Sequence, residues 1–157
     1  MAAIYEESSD MMEIVEELVE KRTDLFSHVE PSMVACAVRI DKIAPVNNKE
    51  ILKIKGIRGP QSILTEKRYI IFGYSSQWAT LSPEKRNAWV ANMIMRIDSP
   101  TPEENQKLAE KGAEYEWGKL RKPDLNNFKS FIEAVGINWD EDGSTVPDIA
   151  EDRKIVI

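Results

Sequence analysis

A chain of 157 residues with 42% hydrophobic and 31% charged side chains is long enough for one domain with a substantial core and too apolar to be disordered. Its net charge of −6 repels phosphate and disfavours direct nucleic-acid binding, and a single cysteine, Cys36, excludes a disulfide framework or a cysteine zinc site. No apolar run approaches the roughly 18 residues of a membrane span, and no basic-then-apolar signal opens the chain, so a cytoplasmic protein without membrane contact is expected.

The first element is an amphipathic helix over 10–21. Met11, Ile14, Val15 and Leu18 follow the i, i+3, i+4, i+7 rule, Glu13, Glu16, Glu17 and Glu20 form the wet side, and Asp10 with Glu13 makes a capping box. A turn region, Asp24 to Ser32, holds His28, the one histidine of the chain. With a single imidazole there is no serine–histidine–acid or cysteine–histidine set elsewhere in reserve, and His28 reads as a turn residue. Met33–Ile40 reads as a buried strand.

After a polar connection containing Pro45, Asn47 and Asn48, residues 51–55 alternate. Leu52 and Ile54 point inward and Lys53 and Lys55 outward, the pattern of an edge strand blunted by lysine. Gly56 to Gln61 reads as loop. Arg68 to Tyr74 is a β-branched and aromatic strand, followed by a short turn and a capped helix with Ser82 as N-cap, Pro83 in its first turn and Glu84 favoured by the helix dipole. From Ala88 to Ile97 that helix is apolar almost all round, so it must be central. Asn92 and Arg96 alone interrupt the run, four apart and therefore on one face.

Thr101 and Pro102 open a further helix, expected to reach about Trp117, with Glu104 completing a capping box. Asp124 caps the last helix, whose stripe is Phe128, Phe131, Ile132 and Val135 and whose C-cap is Gly136. From Asp140 the chain turns acidic, with Gly143 and Pro147. The expected organisation is one domain over 1–139 and a flexible tail over 140–157. Carboxylate pairs such as Asp98 with Glu103 or Glu104 are expected by chance in so acidic a chain and carry no acid–base assignment.

Two stretches carry a resemblance. Phe26-Ser-His-Val-Glu-Pro31 is similar to a Phe-x-His-Ile-Asp-Pro turn, and Leu81 to Ile97 can be laid without a gap on a Leu-Ser-x-Glu-Glu helix that runs into His-Glu-x-x-His. Together with the tyrosine-led strand before that helix, they resemble the zincin-like metallopeptidase family of archaea and phages, over roughly Leu25 to Pro100. A His-Glu-x-x-His helix holds zinc between two imidazoles on one face and uses the glutamate as general base. In the resemblance Asn92 and Arg96 stand where the histidines would be and Met93 where the glutamate would be. Many relatives add a third ligand at the start of the last helix, where the ungapped match puts Pro123.

The resemblance implies an α+β, zincin-like fold: a small mixed or antiparallel sheet of three or four strands against a central motif helix, with N- and C-terminal helices. An amide, a thioether and an always-protonated guanidinium replace both ligands and the base, so neither metal nor cofactor is expected. The leading expectation is an inactive metallopeptidase-like protein that binds another protein through its former substrate groove. An active hydrolase with a non-standard or partner-completed metal site is one alternative. An acidic inhibitor of viral or plasmid type, blocking a basic nucleic-acid-binding protein, is the other. The expected partner contacts are Arg68, Tyr74, Trp78, Arg96, Tyr115 and Trp117, because aromatic residues and arginine anchor interfaces.

Overall fold

The computed structural model describes residues 3–100, 102–113, 117–120, 131–133, 135, 136, 139, 140 and 148–150. In chain order these form strand β1 (Tyr5–Glu7), helices α1 (Ser9–Lys21) and α2 (Thr23–Phe26), a 3-10 turn (Pro31–Met33), and strands β2 (Val34–Arg39) and β3 (Leu52–Gly56). Helix α3 (Pro60–Thr65), strand β4 (Tyr69–Tyr74) and helices α4 (Ser75–Thr80), α5 (Pro83–Ile94) and α6 (Pro102–Glu110) follow.

The sheet is mixed and four-stranded, in the order β1-β2-β4-β3. β1 lies antiparallel to β2, with Tyr5 opposite Arg39. β2 runs parallel to β4, with Val34 opposite Tyr69, and β3 runs antiparallel to β4, with Leu52 opposite Gly73. Period-2 alternation puts Val34, Cys36, Val38, Tyr69, Ile71, Leu52 and Ile54 on one face; the first six belong to the core and Ile54 packs against it, partly buried. Helices α1 and α5 pack on that core: Met11, Val15 and Leu18 of α1 and Ala88, Val90, Ala91 and Ile94 of α5 are fully buried. The α+β class, the mixed sheet and the central helix are as the sequence leads one to expect, and β3 is an edge strand.

Several local expectations change. Helix α1 is capped by Ser8, whose Oγ accepts from Met11 N–H at 3.3 Å, so the cap lies ahead of Asp10. Residues 75–80, expected as a turn, make the short helix α4. α6 stops at Glu110 instead of continuing to Trp117. Gly112 adopts a positive φ of 66°, its N–H reaches the Ala109 carbonyl, and Ala113 N–H reaches the Leu108 carbonyl, a Schellman ending. Gly136 does cap its helix, at φ 87° with its N–H on the Ile132 carbonyl.

Part of the expected tail is seated in the domain. Ile149 is fully buried, its carbonyl accepts from Arg22 Nη1 at 2.8 Å, and Asp148 Oδ1 accepts from Asn87 Nδ2 at 2.7 Å. Tyr115, Pro123, Asp124 and Phe128 lie outside the described residues. No helix among the described residues is long and apolar enough to cross a membrane.

Candidate functional site: a cleft between an edge strand and the central helix

Ser82 and Pro83 start α5 in a fixed place: the serine Oγ accepts from Lys85 N–H at 3.3 Å, and proline occupies the first helical position. From there the helix phase sets what faces outward. Trp89, Asn92, Met93 and Arg96 recur at i, i+3, i+4 and i+7, one stripe, and all four line a cleft of about 1190 Å³. One wall is β3 with the residues before it, namely Lys49, Glu50, Leu52, Lys53 and Ile54. The opposite wall is Ile132, Glu133, Trp139 and Asp140. Alternate residues of a strand point to opposite faces, so a cleft that touches Leu52, Lys53 and Ile54 alike meets the edge of β3.

Both walls are held. Gln77 of α4 clamps Asn48, its Oε1 accepting from Asn48 Nδ2 at 2.7 Å and its Nε2 donating to the Asn48 carbonyl at 2.9 Å, which fixes the chain beside Lys49. Trp139 packs edge-on against Trp89, with centroids 4.8 Å apart, and against Phe131 at 5.1 Å. The floor is apolar. The rim carries Lys49 and Lys53 beside Glu50, Glu133 and Asp140, all exposed.

At the centre, Asn92 is buried and accepts at Oδ1 from Arg96 Nη2 at 3.3 Å. Arg96 follows the last helical turn, its N–H on the Met93 carbonyl, and its Nε is buried with no acceptor in reach. Met93 is 5% exposed. These donors do not suit a catalytic zinc. Arginine cannot ligate a cation, and a neutral amide beside it is a weak substitute for imidazole. Among the described residues no three His, Cys, Asp or Glu side chains converge to hold a metal ion. His28 stands apart from the cleft lining and donates from Nε2 to the Ile94 carbonyl at 3.2 Å, closing the end of α5.

The six expected partner contacts do not share one surface. Arg96 lies in the cleft. Arg68 and Trp117 line a second pocket with Arg58 and Asn105, and Tyr74 lines a third with Tyr5 and Arg39. Trp78 is 6% exposed, a core residue with the Arg86 guanidinium 4.8 Å over its ring. Tyr115 is outside the described residues. Sequence reasoning missed the two walls. Trp89 had a signal, three residues before Asn92 on the same stripe, whereas Trp139 and Asp140 reach the cleft from distant chain with none.

The profile of a family described as "putative phage metallopeptidase" matches residues 3–152. No curated protein and no solved structure matches the chain.

Proposed function

We propose that this chain, which belongs to the phage metallopeptidase family, is a member without peptidase activity that holds a segment of another protein in the cleft between β3 and α5. The observation that carries this reading is the outward stripe of α5. It presents Asn92, Met93 and Arg96 to the cleft, side chains that supply neither two zinc ligands nor a general base. A guanidinium in that position repels a divalent ion, so the substitutions act together against metal, water activation and proton transfer.

What survives such losses is the groove. An apolar floor, a strand edge left unpaired by the described residues and a mixed-charge rim suit an extended segment that adds to the sheet through main-chain hydrogen bonds. The test is metal content together with turnover. Protein purified without chelator is expected to carry far less than one zinc per chain and to leave unfolded casein intact when zinc is added. About one zinc per chain, with casein cleavage abolished by chelator, would overturn the reading.

A further inference from the structure

Among the described residues Arg96 has no counter-ion. The ion pairs of the described residues join Lys21 to Glu17, Arg22 to Asp24, Arg39 to Asp41 and Lys53 to Glu50, and none includes Arg96. One Nη has only the neutral Asn92 oxygen at 3.3 Å, and Nε is buried with no acceptor. A partly buried guanidinium so placed has already lost much of its water and lacks the carboxylate that would offset that loss. Glu133 and Asp140 stand on the far wall of the same cleft, whereas Lys49, Glu50 and Lys53 stand on the β3 wall, with Lys53 Nζ 3.9 Å from Glu50 Oε2. Lys49 and Arg96 are thus the cations where α5 faces the strand edge, and the carboxylates of Glu133 and Asp140 lie across from them.

We infer that the occupant of the cleft is an extended peptide laid along the outer edge of β3, with one aspartate or glutamate side chain seated on Arg96 and apolar residues on either side. The inference rests on the reading of the cleft as a binding groove and adds its specificity. A carboxylate accepts from the Nη groups of Arg96 in charge-assisted hydrogen bonds, which a neutral amide does not match. In an extended chain residues i and i±2 face the same way, so the neighbours of the acid on that face meet Trp89, Met93 and Ile132. The acidic far wall rejects further carboxylates there, which confines the acid to one position.

The experiment is selection of displayed random heptapeptides on the full chain, followed by affinity measurement on the selected sequence and its amide counterpart (Asp to Asn, or Glu to Gln). One acidic position is expected, and the amide peptide should bind roughly tenfold or more weakly. Arg96→Met should weaken the acidic peptide by a similar factor and leave the amide peptide unchanged, with folding checked by circular dichroism. Lys53→Glu, at an exposed position, should also weaken the acidic peptide, with folding checked in the same way. Equal binding of acidic and amide peptides to the wild-type chain overturns the inference whatever the variants do. Hydrogen exchange separates the two levels. Peptides that protect the amides of Leu52–Gly56 without an acidic preference leave the groove standing and remove the Arg96 anchor. If no selected peptide protects them, the groove reading falls, and the anchor with it.

Discussion

Replacing Tyr69 by phenylalanine removes one oxygen from the middle of the domain, and the structure says what that oxygen does. The side chain is fully buried on the central strand β4. Its hydroxyl donates to the Lys119 carbonyl at 2.9 Å, with the Asp98 carbonyl at 3.3 Å, and accepts from the Gly118 N–H at 3.2 Å. It therefore ties residues 117–120 to the sheet beside the Ile97–Leu120 bridge. Phenylalanine fills the same space but leaves a buried N–H without an acceptor, a loss of about 2 kcal/mol. For a chain of this length that lowers Tm by roughly 4–8 °C, measurable by urea and thermal unfolding at pH 7. Burial raises the phenol above its ordinary value, the Gly118 hydrogen bond opposing it only in part. The folded state then holds the proton to higher pH than the unfolded one, so stability from this group is complete below about pH 10 and lost as pH rises beyond it. The difference between wild type and Tyr69→Phe should accordingly hold up to about pH 10 and narrow between about pH 10 and 11. Equal stability of the two proteins at pH 7, or a difference that stays constant through that range, refutes the reasoning.

Cys36 is buried and its thiol is pushed up to about 12, mainly by burial, so iodoacetamide at pH 8 should leave it unmodified in the folded protein and label it in urea; rapid native labelling would contradict this. Gly56→Ala would drive a Cβ into the Gly118 carbonyl oxygen, and an overpacking loss of about 1–3 kcal/mol should appear as a lower urea midpoint. Ile149→Ala should cost about 2–5 kcal/mol, because the side chain is fully buried. A change within about 0.5 kcal/mol would mean that 148–150 behaves as free tail.

The parts of this fold readable from sequence are those governed by neighbours a few residues away. Ser82 and Pro83 start α5 because an orphan N–H needs an acceptor and proline fits the first turn, and α1 shows its buried stripe by spacing alone. The alternation over 51–55 marked β3 as an edge, since lysines on one face are tolerable only beside water. The side chains at 92, 93 and 96 were equally plain, because helix phase is a local property. Partnering across long stretches of chain was decided only in three dimensions. β1 is three exposed residues with no apolar period, held by backbone bonds to β2 that leave no trace in side-chain pattern. Trp78 and Trp117 look alike as single letters, yet one is sealed in the core and the other half-buried in a separate pocket, because burial depends on what packs opposite. The acidic stretch after Asp140 has too few apolar residues to suggest burial, and Ile149 is buried because α1 and α5 leave a place that Arg22 and Asn87 fasten. The cleft is likewise a tertiary product: its floor is one helix stripe, but its walls come from residues about 40 positions before and after it, and no local pattern encodes that convergence.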